Sequence, residues 1–353
     1  MAELLELFKG SAKATKKLAL VGQPNVGKSL IFFRLTGQYV SCSNYPGTTV
    51  ELFRGTTRVD DESWHVLDSP GVMGLTSSSE AEQVTRDLLL FGGVDAVVQV
   101  ADAKNLERTL QLFIQLAEMG LPLVLDLNLA DERRARGVEY SVEELSRQLG
   151  VPVVETVATT GEGVDALREA ISEARVPQLP VDYGSTLGSA IAALAEEVRG
   201  CASSGGGLEI HKASCCGGGV DAVSGNGRKE IPVAGLAALL VAVAPQDLPG
   251  LLGKLDQSRE TQDRINRLAA RVRDHTSRPA YEIAVARQRV VARILHGSAL
   301  RRREDRAGQA SVVGDRRSPW VERLARWTVH PLWGPIILVG VLYGMYQFVG
   351  NLA

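Results

Sequence analysis

Residues 22–29 read Gly-Gln-Pro-Asn-Val-Gly-Lys-Ser, the spacing G-x-x-x-x-G-K-[ST] of a phosphate-cradling loop. Gly22 and Gly27 let the backbone curl so that its N–H groups, those of Asn25, Val26 and Leu30 among them, face phosphate oxygens. Lys28 would neutralise charge on the β and γ phosphates, and Ser29 would offer its hydroxyl to Mg²⁺. Downstream, Asp68-Ser69-Pro70-Gly71 supplies an aspartate that can hold Mg²⁺ through water and a glycine whose N–H can meet the γ-phosphate. Between them lie Asn44, Tyr45, Pro46, Gly47, Thr48 and Thr49. A threonine here can reach Mg²⁺ only while the γ-phosphate is present, and Thr49 is preferred over Thr48. Asn128-Leu129-Ala130-Asp131 can read the base. Asp131 can accept from both N1–H and the exocyclic amine of guanine, a donor pair adenine lacks. Asn128 would tie that loop to the phosphate loop. Thr156-Val157-Ala158-Thr159 follows, with the backbone of Val157, Ala158 and Thr159 against the guanine carbonyl.

Such groups must sit at strand ends. Each motif follows an apolar run: Leu18–Val21, Trp64–Leu67, Leu121–Leu125 and Val151–Val154. Helical periods between these runs predict a mostly parallel sheet flanked by helices. Five elements in this order predict an α/β, Ras-like P-loop GTPase fold over residues 17–177. Residues 1–16 read as a tail, because acids precede lysines there, the reverse of a signal peptide. A chain of 353 residues has room for a second domain, and helical period dominates 178–298. A Gly/Ser/Cys-rich insertion interrupts it at about 200–228. Net charge is −2, which argues against a nucleic-acid-coating protein, and four cysteines fit a reducing cytoplasm.

Hydrolysis needs an oriented water. The position after D-x-x-G, where many GTPases carry glutamine, is Val72, which cannot hydrogen-bond water. Asn25 is the other unusual letter. Its amide oxygen either bonds the switch loop or holds a potassium ion that places fixed positive charge where negative charge develops; the pairing with Val72 favours potassium. The catalytic set is then Asn25 (through K⁺), Lys28 and Thr49, with Asn44–Thr49 as switch I and Asp68–Val72 as switch II.

The runs NYPGTTVE (44–51), DSPGV (68–72), VTRDLLL (84–90), VQVADAKNLERTL (98–110) and DLNLADERRARGV (126–138) resemble the bacterial ferrous iron transport protein FeoB family. The likeness continues more weakly through the helical domain and resumes at His330–Pro335. It implies a GTPase on the cytoplasmic face of the bacterial inner membrane that regulates or drives Fe²⁺ uptake, with Thr49 sensing the γ-phosphate and Asn25 coordinating K⁺. Leu129 in place of the usual lysine of N-K-x-D also fits the family. The family's membrane region has many helices, whereas one apolar stretch follows here. The chain is therefore either truncated or part of a split transporter, and Fe²⁺ would cross through a missing or separate membrane portion.

That stretch, within 330–353, is long enough to span a bilayer. An arginine-rich linker (299–329) precedes it, which places the G domain on the cytoplasmic side. Gly340 and Gly344 form a G-x-x-x-G face for packing on another helix or copy. The run Val233–Val243 is too short to span and reads as a buried helix. Leu187, Ile191, Leu194 and Val198, like Ile283, Val290, Ile294 and Leu295, read as helical core. His211, Cys215 and Cys216 read as loop rather than metal site. Two alternatives compete. An RNA-associated potassium-dependent GTPase would need a basic RNA-binding module, and the arginines here abut an apolar run instead. A GTP-binding switch without a transport role would lack potassium-dependent turnover.

Overall fold

The computed structural model describes residues 16–37, 40–44, 49–76, 79–203, 259–275, 278–298 and 301–302, together with 343 and 347. Tyr45–Thr48, most of the Gly/Ser/Cys-rich insertion with His211, Cys215 and Cys216, the run 233–243, the arginine-rich linker beyond Arg302 and the apolar tail with Gly340 and Gly344 lie outside the described residues. Met1–Arg303 forms one compact unit and Glu304–Ala353 another.

The elements of the first unit run β1 (Lys16–Gly22), α1 (Lys28–Thr36), β2 (Val40–Asn44), β3 (Glu51–Val59), β4 (Glu62–Asp68), α2 (Glu80–Phe91), β5 (Ala96–Asp102) and α3 (Leu106–Glu118). They continue through β6 (Leu123–Asn128), α4 (Ala130–Ala135), β7 (Val138–Glu139), α5 (Val142–Leu149), β8 (Val153–Glu155) and α6 (Val164–Ser172). Then come α7 (Ser185–Ser203), α8 (Arg259–His275), α9 (Pro279–Gly297) and β9 (Arg301–Arg302), which pairs with β7.

Seven strands form one sheet in the order β2-β3-β4-β1-β5-β6-β8. The four pairings from β4 to β8 are parallel, and β2-β3 and β3-β4 are antiparallel. The mostly parallel, helix-flanked sheet matches the expectation. The central strands are apolar on both faces because helices cover both. Side-chain alternation sends Leu18 and Leu20 of β1 to one core with Ile31 and Phe32 of α1, and Ala19 and Val21 to the other with Leu110 and Phe113 of α3. Strand β1 is flanked by β4 and β5, so the loop after it opens at the middle of the sheet, where ligands bind in open α/β folds.

The sequence also specifies local boundaries. Ser79 caps α2 by accepting from Glu82 N–H at 3.3 Å while its hydroxyl donates to the Glu82 carboxylate at 2.9 Å. Ser141 caps α5 in the same way, accepting from Glu144 N–H at 3.0 Å.

Helix α9 packs against α3 and α5, and α7 against α8. Leu187, Ile191, Leu194, Ile283, Val290 and Ile294 are buried as their spacing requires, and Leu295 packs against them from a half-buried position. A buried ion pair joins α9 to α3: Arg287 Nε donates to Glu118 Oε2 at 2.8 Å, both side chains 9% exposed. The Tyr183 hydroxyl donates to the other Glu118 oxygen. Burial raises the Glu118 pKa, and Arg287 opposes that rise. Removing one partner strands the other charge in a dry contact. Arg287→Ala is therefore expected to cost about 3–5 kcal/mol in denaturant unfolding, more than the double variant Glu118→Leu/Arg287→Met.

Candidate functional site

The phosphate loop is shaped by two residues in the left-handed region, Asn25 (φ 63°) and Gly27 (φ 83°). Asparagine is among the few non-glycine residues that adopt this conformation readily, so Asn25 suits the backbone here whatever its side chain binds. Gly27 has no alternative. A Cβ there would lie 2.3 Å from Asn128 Nδ2, and one at Gly22 would lie 2.3 Å from the Val100 carbonyl oxygen. The loop is also tied to α3, because Gln23 Nε2 donates to the Arg108 carbonyl at 3.0 Å.

Lys28 is buried, and its ammonium donates to Asp68 Oδ1 and to the Ser69 carbonyl. Ser29 Oγ donates to Asp68 Oδ2 at 3.5 Å. Burial raises the Asp68 pKa, and Lys28 pulls it back. The structure thus brings Lys28, Ser29 and Asp68 together. The turn after Asp68 lies on the phosphate loop: Val72 N–H donates to the Gly22 carbonyl at 2.9 Å, and Ser69 N–H to that of Leu20 at 3.1 Å. A Cβ on Gly71 would meet Pro24 Cα at 3.1 Å, so glycine suits this close approach. Val72 is buried. Asn44 ends β2, paired with Glu51 of β3. Thr49 is exposed and its hydroxyl donates to Glu80 Oε2 of α2 at 3.1 Å.

The segment that the sequence reading assigns to the base is built around Asn128, which is 1% exposed. Its Nδ2 donates to the Val26 carbonyl at 2.9 Å, and its Oδ1 accepts from Ala158 N–H at 3.0 Å and lies 3.2 Å from Thr156 Oγ1. One amide thereby links the phosphate loop to the turn after β8. Leu129 takes the left-handed conformation (φ 64°) and starts α4, whose first turn carries Asp131. The turn 156–159 is held from outside by Arg34 of α1, whose Nε donates to the Ala158 carbonyl at 2.9 Å and whose Nη2 donates to that of Thr159. Val157 N–H donates to the Glu162 carbonyl at 2.9 Å.

The donor set fits the groups the sequence implies. Hard oxygens from Ser29 and Asp68 beside a buried lysine suit Mg²⁺ delivered with a nucleotide. The described residues hold no cluster of three or more His, Cys, Asp or Glu side chains that would bind a metal by themselves.

Residues 16–171 match the family model described as "Ferrous iron transport protein B". The matched segment spans the seven-stranded sheet and the site at its strand ends. The chain is 39% identical over 190 residues to an Fe(2+) transport protein A/Fe(2+) transporter FeoB fusion protein of Porphyromonas gingivalis, covering 52% of this chain and 22% of that one. It thus spans about a fifth of the length of the curated FeoB proteins it matches. It is also similar to the cytosolic domain of T. maritima FeoB in its GMPPNP form, with 27% identity, TM-score 0.59, and 80% of this chain and 99% of that one covered. A point mutant of S. thermophilus NFeoB bound to GDP gives 26% identity, TM-score 0.62, and 81% and 100% coverage. Both structural matches extend beyond the G domain into the helical part.

Three residues of this site carry weight that the motif reading did not give them. Glu80 holds Thr49, Arg34 braces the 156–159 turn, and Asp126 lies fully buried with its Oδ1 2.6 Å from Thr156 Oγ1. Only Asp126 left a visible trace, as a charge inside the apolar run Leu123–Leu127. Gly27→Ala tests the loop itself. The added methyl collides with Asn128 in a conformation that disfavours L side chains, so GDP affinity should weaken by at least about 100-fold, roughly 3 kcal/mol, in a titration with a fluorescent GDP analogue.

Proposed function

We propose that this chain is the GTP-binding and GTP-hydrolysing cytosolic module of a ferrous iron transporter. Nucleotide state would be passed through the helical domain to a membrane portion that carries Fe²⁺ as cargo. The observation that carries the reading is the Asn128 amide, which binds the phosphate loop and the base-recognition turn into one rigid cradle. The FeoB-named relatives and the GDP- and GMPPNP-bound cytosolic domains support it.

In this reading the loop N–H groups and Lys28 bind the β and γ phosphates, and Asp131 accepts from the guanine edge. The backbone of the 156–159 turn closes the base pocket. Ser29 and Asp68 would hold Mg²⁺, which supplies positive charge across the phosphates. Asn25 would hold K⁺, which supplies positive charge where negative charge develops in hydrolysis. Lys28 exchanges Asp68 for phosphate when nucleotide enters. Thr49 leaves Glu80 when it turns toward the metal and the γ-phosphate, and that exchange is the switch. Helix α3 begins just past the end of β5 and ends at Glu118, where Arg287 and Tyr183 grip it. It is a rigid route from the nucleotide edge to the helical domain. The apolar stretch near the C-terminus would anchor the module to the bacterial inner membrane, with the G domain facing the cytoplasm. Among the described residues no helix is long and apolar enough to cross a membrane, and all of that stretch but Tyr343 and Gln347 lies outside them.

The test separates the two roles of Asn25. Asn25→Gly keeps a residue that accepts φ 63° but removes the amide. The native chain should hydrolyse GTP in preference to ATP, and at least about tenfold faster in potassium than in sodium buffer. Asn25→Gly should still bind GDP but turn over GTP equally slowly in both salts. Equal native rates in the two salts would overturn the potassium role; absence of GTP binding would overturn the function.

A further inference from the structure

Asp126 is a carboxyl where the sheet otherwise places aliphatic side chains. It faces the core shared by Val98, Val100, Val124 and α6, and is fully buried. Its strand partners are Val100 on β5 and Val154 on β8, and Val164 and Leu167 of α6 line the same core. From α1 come Ile31 and Phe32, and the buried cation of that helix, Lys28, is engaged by Asp68. No charged side chain acts on Asp126 among the described residues; Thr156 is its single hydrogen-bond partner. Its Oδ2 meets no donor or acceptor.

The Thr156 hydroxyl has one proton and two acceptors within reach: Asp126 Oδ1 at 2.6 Å and Asn128 Oδ1 at 3.2 Å. If Asp126 is ionised, the proton must point to the carboxylate, and Asn128 Oδ1 keeps only the Ala158 N–H. If Asp126 is neutral, its own O–H donates to Thr156 Oγ1. The Thr156 proton is then released to Asn128, and the chain runs Asp126 to Thr156 to Asn128 to the Val26 carbonyl with every link filled. We propose that Asp126 is a positioning residue for guanine-nucleotide binding, whose proton sets the direction of the Thr156 hydroxyl and thereby how firmly Asn128 clamps the phosphate loop to the base-recognition turn. This rests on reading the loop cluster as a guanine nucleotide site.

Burial without a counter-charge pushes the Asp126 pKa up to about 7, and the Thr156 bond opposes the rise. A raised carboxyl pKa favours the folded protein most below the ordinary carboxylate range, and that contribution is lost as pH rises through about 7. The neutral form also completes the clamp, so nucleotide affinity should fall across the same interval.

The test is titration of the full chain with a fluorescent GDP analogue and Mg²⁺ between about pH 6 and about pH 8. Native protein, Asp126→Asn, Thr156→Ser and Thr156→Val are compared on the same nucleotide, so that its own phosphate titration cancels. Relative to Asp126→Asn, whose amide cannot ionise, the native protein should lose about threefold or more in affinity over this range. Thr156→Ser should follow the native profile, and Thr156→Val should bind more weakly with the flat profile of Asp126→Asn. If Asp126→Asn does not fold, the serine and valine variants decide. Matching native and Asp126→Asn profiles, or matching serine and valine profiles, would overturn the inference while leaving the guanine site standing. Failure of the native chain to bind GDP at any pH would overturn both.

Discussion

The cradle of loops at the strand ends depends on a single buried amide. Three segments far apart in sequence, the loop after β1, the end of β6 and the turn after β8, meet at Asn128, whose amide joins the other two by hydrogen bonds of 2.9 and 3.0 Å. Buried polar groups are costly unless paired, so this arrangement tolerates little variation. Gly27 must lack a Cβ because Nδ2 occupies that space. Asparagine, with a donor and an acceptor on one short planar group, can satisfy a carbonyl on one side and an N–H on the other, where aspartate or leucine cannot. The parallel sheet serves this point, since its β1, β6 and β8 strand ends deliver the three segments to one edge.

Around that centre the electrostatics are arranged in opposed pairs. Lys28 and Asp68 neutralise each other, and in the proposed reading phosphate and a divalent cation would each take one of them. Glu118 and Arg287 neutralise each other at the far end of α3, where the pair ties α9 to that helix. The first pair is suited to exchange and the second to permanence, because breaking a buried pair without a replacement is expensive.

Much of this was legible in the sequence because motif spacing encodes backbone geometry. G-x-x-x-x-G-K-S after an apolar run fixes a strand, a curled loop and a helix at once, and the N-x-x-D and D-x-x-G positions follow from the same strand ends. The buried stripes of α7 and α9 were legible because helical period reports which face is covered. What the sequence did not reveal are pairings between side chains that carry no motif. Nothing about Glu80 suggests Thr49, nothing about Arg34 suggests the carbonyls of 158 and 159, and nothing about Arg287 suggests Glu118, 169 residues away. Asp126, a charge inside an apolar run, passed without remark, and its partner Thr156 is brought beside it only when β8 pairs with β6.

The central claim is that Asn128 holds the cradle in one piece. Calorimetric titration of GDP into Asn128→Ala, with circular dichroism as the control for the sheet, tests it most directly. The account predicts an intact fold in which GDP affinity falls by at least about 100-fold, since the phosphate loop and the base-recognition turn are no longer joined. A folded Asn128→Ala chain that binds GDP as tightly as the native protein would contradict it.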